Sequence, residues 1–215
     1  MRKKEIVAKA VEILEGIYPD AVCSLDYKDA FQLLISTRLS AQCTDKRVNM
    51  VTPALFAEFP DAASMAAADI TRVEELIKTC GLFKTKAKDL VGIGKMLTEQ
   101  YGGVVPDTVE ELTKLPGVGR KTANLVCGDA YGKPAVVTDT HFIRICNRLG
   151  FVDSTNPFIV EKEMRKLLDP VKSNNFCHRT VLFGRDVCSA RSPKCTDCPL
   201  GGICPHKKTS KKVIK

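Results

Sequence analysis

The chain has 215 residues, a formal net charge of +8 at pH 7, and 44% hydrophobic residues with few aromatics and no Trp. That apolar share supports one large core or two small ones. The charge favours a polyanionic partner, nucleic acid first, while the scarcity of aromatics argues against a single-strand stacking platform. No apolar run approaches the roughly 20 residues a bilayer span needs.

Met1-Arg2-Lys3-Lys4-Glu5 lacks the apolar core of a signal peptide, so the ten cysteines are expected as thiols and metal ligands in a reducing cytosol. Ile6, Val7, Ala10, Val11, Leu14 and Ile17 fall at helical spacing and predict an amphipathic helix over about 4–17. Asp29 opens a second helix through Phe31, Leu34 and Ile35, which runs to Leu39-Ser40-Ala41-Gln42. Thr44 or Asp45 can cap a third with Val48, Val51 and Leu55, although Pro53 falls in its middle. Asp69 caps a helix closed by Gly81, and the next, with Ala87, Leu90, Val91, Gly94 and Leu97, is closed by Gly102-Gly103.

Asp107-Thr108-Val109-Glu110 reads as a capping box, opening a short helix with Leu112 and Leu115 that Pro116 stops. Gly117 and Gly119 permit a tight reversal, and a further helix runs from Arg120 through Ala123, Leu125 and Val126. The result is a helix, a glycine hairpin and a second helix whose N-terminus can receive a phosphate without reading a base. Lys121 lies in the first turn of that helix, where the dipole and Arg120 favour loss of its proton. Such a lysine is either a Schiff-base nucleophile or a surface lysine touching phosphate. Beyond it come helices with Phe142, Ile143, Ile145, Cys146 and Leu149, closed by Gly150; from Asn156-Pro157 through Val160, Met164 and Leu167; and near 176–183. No stretch alternates with period two, so the chain reads as all-α. The lysine-rich stretch 206–215 reads as a disordered tail.

Cys188, Cys195, Cys198 and Cys204 have six, two and five residues between them, amid Pro193, Pro199, Gly201, Gly202 and Pro205. Four thiols in a loop with no core of its own imply metal. The spacing matches neither a zinc ribbon nor the ferredoxin runs, and leaves zinc and a cubane cluster both open. The other six cysteines, Cys23, Cys43, Cys80, Cys127, Cys146 and Cys177, show no ligand spacing.

The hairpin Leu115-Pro116-Gly117-Val118-Gly119-Arg120-Lys121-Thr122-Ala123, Asp139-Thr140-His141, Leu39-Ser40-Ala41-Gln42 and the six-two-five cysteine spacing occur together. In that order they resemble the bacterial endonuclease III family of helix-hairpin-helix DNA glycosylases, over roughly residues 5–206. The resemblance implies two helical domains with a DNA-binding cleft between them. One is a six-helix domain at 23–134 holding the hairpin; the other is a discontinuous iron–sulfur domain, 1–22 with 135–215. It implies a [4Fe-4S] cluster on the four cysteines. It further implies a monomeric bacterial cytoplasmic enzyme, nucleoid-associated through DNA, that removes oxidised pyrimidines from duplex DNA and cleaves the abasic site by β-elimination. Lys121 falls on the family's catalytic lysine and Asp139 on its catalytic aspartate, although an aspartate opening a helix is by itself an N-cap.

Gln42 matches the residue that fills the gap left by a flipped base, and Leu82 an apolar wedge on the other side. Gly117, Gly119, Arg120 and Lys121 match the hairpin's DNA contacts. Arg38, Thr138 and Phe183 depart from the common pattern. His141 and His178 read as structural histidines and His206 as a surface one, while Arg185, Arg191 and Lys194 give the cysteine loop a basic surround. Two rivals predict a different outcome at Lys121: a monofunctional glycosylase of the same superfamily, and a non-enzymatic iron–sulfur DNA-binding protein.

Overall fold

The computed structural model describes residues 2–206; the lysine-rich stretch from 207 onward lies outside the described residues. Eleven α-helices and no strand form among them, as the absence of period-two alternation predicts. They are α1 (Lys3–Ile17), α2 (Ala30–Ser40), α3 (Asp45–Glu58), α4 (Ala62–Ala66), α5 (Ile70–Ile77), α6 (Phe83–Tyr101), α7 (Val109–Leu112), α8 (Arg120–Tyr131), α9 (Thr140–Arg148), α10 (Pro157–Leu167) and α11 (Pro170–Asp186). The chain divides into two compact units, Met1–Val22 with Lys133–Lys215, and Cys23–Gly132.

In the Cys23–Gly132 unit, α2 is the central helix. Phe31, Leu33, Leu34, Ile35 and Leu39 are all buried, and they occupy several sides of it. A helix apolar on every side belongs inside a core, and α3, α6 and α8 pack around this one. Short polar side chains start the surrounding helices. Asp29 Oδ1 accepts from Gln32 N at 2.8 Å, Thr44 Oγ1 from Arg47 N at 3.3 Å, and Asp69 Oδ1 from Thr71 N at 3.1 Å. The short α4 lies against α6 because Gly94 has no side chain; a Cβ there would come within 2.6 Å of Ala66 N.

Several boundaries differ from the sequence reading. Helix α3 continues through Pro53, its continuity supported by burial of Val48, Thr52 and Leu55. Helix α5 ends at Ile77, four residues before Gly81, and the left-handed residue that follows is Leu82. Thr108, not Asp107, caps α7, its Oγ1 accepting from Glu111 N at 3.3 Å. The helix also stops at Leu112, so Leu115 is buried from the turn rather than from the helix. Helix α4, whose Asp61 cap precedes only five residues, is too short to show a period.

In the other unit α11 is the long element. It carries Phe176, Cys177, Thr180 and Phe183 inward and packs against α1 and α9. Phe142 of α9 meets Phe176 edge-on at 6.0 Å. The sequence period places its centre but not its length, which runs from the Asp169 cap and Pro170 to Asp186. The buried, irregular Ala135-Val136-Val137 leads to Asp139, the N-cap of α9. No described helix is long and apolar enough to cross a membrane.

Candidate functional site

The hairpin is built mainly by burial on one side. Leu115 and Val118 are 2% and 6% exposed, and Val118 N donates to Leu115 O at 3.1 Å to close the turn. Gly117 sits at φ 67°, and a Cβ there would overlap Arg38 Nε and the Asp89 carboxylate, so the turn tolerates only glycine. Gly119 then N-caps α8 with no side chain to bond the first-turn N–H groups. The first bond into the helix is Ala123 N to Gly119 O at 3.0 Å, which leaves the Lys121 and Thr122 N–H groups for a ligand. Gly117, Gly119, Arg120 and Lys121 are all exposed. A chain reversal ending in uncapped amides beside two cations is an anion site.

Gln42 and Leu82 share a further property. They are the two non-glycine residues with positive φ among the described residues, at 54° and 59°. Each costs about 1 kcal/mol in that region, and such strain concentrates at functional sites. Both side chains are exposed, Leu82 to 58%, and their loops adjoin: a Cβ on Gly81 would lie 3.4 Å from Gln42 O. The sequence reading took Leu82 as following a helix cap, whereas it is itself the left-handed N-cap of α6. The structure therefore brings Gln42 and Leu82 together on one unit, with the hairpin elsewhere on the same unit.

Asp139 belongs to the other unit. Its Oδ1 accepts from Phe142 N at 2.6 Å, and Oδ2 receives no hydrogen bond among the described residues. It thus caps α9 with one carboxylate oxygen and keeps the other free of such bonds, on a half-buried residue. His141 is half-buried, with Nδ1 3.2 Å from Arg144 Nη2; desolvation holds its pKa below the usual range, partly offset by Asp139. It is a structural histidine packed where Gly184 leaves room.

The four spaced cysteines are free thiols and line one pocket with Arg148, Phe183, Pro193, Leu200 and His206. The Cys198 thiol is pushed up by burial, and also by the charges of Cys188, Cys204 and Cys195. Among the described residues no group of three His, Cys, Asp or Glu is gathered as a single ion requires. Four thiols converging on one pocket are a donor set that an iron–sulfur cluster takes.

The sequence reading did not single out Arg144 and Arg148 of α9, which hold this loop. Arg144 Nη2 donates to Cys188 O at 2.9 Å and to Gly184 O at 3.2 Å. Arg148 donates to Cys188 Sγ at 3.2 Å, Ser189 O at 2.7 Å and Ala190 O at 2.8 Å. The signal was available: two arginines at i and i+4 on the helix that Asp139 opens. His206, read as a surface residue, is half-buried and lines the pocket. Arg185, Arg191 and Lys194 are exposed, as a basic surround requires.

Comparison with known proteins agrees with this geometry. Residues 35–170 match the HhH-GPD superfamily of base excision DNA repair proteins, and residues 188–204 match the iron-sulfur binding domain of endonuclease III. The chain is 46% identical to endonuclease III of Synechocystis over 209 residues, 97% of this chain and 95% of that protein. It is 40% identical to that of Bacillus subtilis over 202 residues, 93% and 92% of the two chains. A solved structure of a trapped endonuclease III–DNA covalent intermediate superposes with TM-score 0.91 at 39% identity, covering 98% of this chain and all of that one. A non-covalent endonuclease III–DNA complex gives 0.91 at 38%, covering 99% and all. A thermostable thymine-DNA glycosylase, 22% identical with TM-score 0.85, shares the fold. The protein carries an iron–sulfur cluster, and the chain belongs to the endonuclease III family of base excision DNA repair enzymes.

Proposed function

We propose that Lys121 is the nucleophile and Asp139 the stabilising carboxylate of a bifunctional glycosylase and abasic-site lyase acting on oxidised pyrimidines in duplex DNA. The observation that carries this reading is Lys121 itself: an exposed amine in the first turn of an uncapped helix, directly after an anion-binding hairpin. The hairpin amides and Arg120 take the DNA backbone and place the lysine near a sugar without reading sequence.

The damaged nucleotide leaves the stack, its gap filled by Gln42 with Leu82 on the opposite side. As the bond between C1′ and the base lengthens, positive charge develops on the sugar, and the Asp139 carboxylate stabilises it. The neutral Lys121 amine attacks C1′ while the base departs with the bonding pair. That amine sheds a proton to a base as its bond to C1′ forms. The ring opens and a protonated imine forms between Lys121 and C1′. The imine acidifies C2′, a proton leaves from there, and the C3′–O bond breaks to expel the 3′ phosphate. Water then hydrolyses the imine and restores the lysine.

Cys188, Cys195, Cys198 and Cys204 would hold the cluster, a [4Fe-4S] group as the family resemblance implies; their four thiolates are a donor set that iron–sulfur clusters take. When bound it supplies cross-links that close a loop with little core of its own. In this reading the Cys23–Gly132 unit is the helix-hairpin-helix domain, and the other unit is the iron–sulfur domain. The enzyme acts as a monomer on chromosomal DNA in the cytoplasm.

Incubation with a thymine-glycol duplex tests the reading. Release of free thymine glycol with a 3′ unsaturated aldehyde at the nick is expected. Base release that leaves the strand intact would identify a monofunctional enzyme.

A further inference from the structure

One face of α6 begins at Leu82, meets the end of α2 that leads to Gln42, and supports the hairpin turn at Pro116 and Gly117. Leu82, Lys86, Asp89 and Gly92 follow at spacings of four, three and three, which puts them on one side of the helix. Lys86 is fully buried and donates Nζ to Leu39 O at 2.7 Å. A buried lysine needs a specific partner, and here the partner is explained by how α2 ends. The last carbonyls of a helix have no acceptor role inside it. In α2, Thr37 O accepts from Ser40 Oγ at 2.9 Å and Ser40 O from Cys43 N at 3.0 Å, while Leu39 O accepts from Lys86. Lys86 is therefore a C-terminal cap supplied by another helix, with its charge at the end the helix dipole favours. Gln42, at φ 54°, stands three residues beyond that capped carbonyl.

One turn further along, Asp89 receives Arg38 Nε at 2.8 Å and also pairs with Nη2. These side chains are 19% and 12% exposed, and they form the surface on which Gly117 rests. After one more turn Gly92 admits Pro116; a Cβ there would lie 3.1 Å from Pro116 Cγ. Arg38, which departs from the family pattern, thus has a partner on the same helix face. Gln42, Leu82 and the hairpin turn all take their positions from this single helix.

We propose that Lys86 and the Arg38–Asp89 pair are positioning residues that set Gln42, Leu82 and the hairpin in one register, so that insertion into the helix and grip on the backbone occur together. The proposal rests on the reading of those three elements as DNA contacts.

The test uses the cluster-loaded full chain, with 2-aminopurine placed beside a thymine glycol in a duplex. Insertion unstacks the reporter and raises its fluorescence. Lys86→Met keeps the apolar stem and removes the cap. It should abolish most of the fluorescence rise and slow single-turnover base release about tenfold, the scale of a small misplacement. Affinity for undamaged duplex should stay within about twofold, because the phosphate contacts that supply it are untouched. Borohydride trapping on a preformed abasic site should persist and counts the folded molecules. A merely structural defect would lower that trapped fraction and leave the rate per trapped molecule unchanged. Asp89→Asn, at a partly exposed position, should lower the same signal about threefold and decides the matter if Lys86→Met fails to fold. A wild-type rise and wild-type rates in the folded variants would overturn the positioning roles. No rise with the unsubstituted enzyme on the lesion duplex would overturn the insertion reading beneath them, and the proposal with it.

Discussion

The hairpin and the cysteine loop are both irregular segments with a chemical task, yet they are held by opposite means. The hairpin is fixed from within by ordinary packing. Leu115 and Val118 are buried, Pro116 fits over Gly92, and Gly117 rests on an ion pair. The cysteine loop buries little of itself besides Leu200, and is held by arginines reaching from α9 to its carbonyls. A segment that packs is formed before its ligand arrives. A segment with little core of its own, held by donors to its backbone and by metal ligands, is expected to loosen when the metal is lost. On the proposed reading the hairpin and the cysteine loop are expected to differ in that dependence.

Removing the cluster breaks this comparison most severely. Cys198→Ser should abolish the visible absorbance of the cluster and expose 188–204 to proteolysis, while hydrogen exchange in α6 and α8 stays slow. Loss of protection in both regions together would mean the hairpin depends on the cluster. Gly117→Ala attacks the other side. The left-handed backbone and the overlap with Arg38 and Asp89 should together cost about 2–3 kcal/mol in denaturant melts. A cost within experimental error would mean the turn is not pinned. Arg148→Met removes the donors to Cys188, Ser189 and Ala190; about 1–2 kcal/mol is expected, together with faster loss of cluster absorbance on standing. An unchanged lifetime would remove the arginine from the account.

The smallest effect sharpens the contrast by pH. All three histidines, His141, His178 and His206, lie in the unit that carries the cysteine loop. Burial lowers the folded pKa of His141, so the unfolded chain takes up the proton first as pH falls. The unfolded state binds more protons below about pH 6.5, and stability falls with pH until the folded pKa is passed. His141→Gln should flatten the difference between urea midpoints at about pH 7.5 and about pH 5.5. A difference as large as in the unsubstituted protein would place the acid sensitivity elsewhere.

What could be read from the residues follows the range of the interactions. Asp29, Asp69, Asp139 and Asn156 bond amides two or three residues ahead, so each cap was legible where it stood. The choice of Thr108 over its neighbour Asp107 was not, because both are side chains of the kind that cap a helix. Lys86 finds its acceptor 47 residues away and Arg148 reaches 42 residues to Ala190, distances no local pattern records. The left-handed backbone at Gln42 and Leu82 was equally hidden, since neither residue type favours it. For Lys121, its place in the first turn of an uncapped helix after a glycine turn was legible, whereas the choice between nucleophile and phosphate contact was not.

The most direct measurement is borohydride trapping on two duplexes, one with thymine glycol and one with a plain abasic site, for the unsubstituted enzyme and Lys121→Gln. A covalent adduct on both, abolished by the substitution while the fold and duplex binding remain, is the predicted result. An adduct that survives Lys121→Gln, or none with the unsubstituted enzyme on either duplex, would contradict the assignment of Lys121 as the nucleophile.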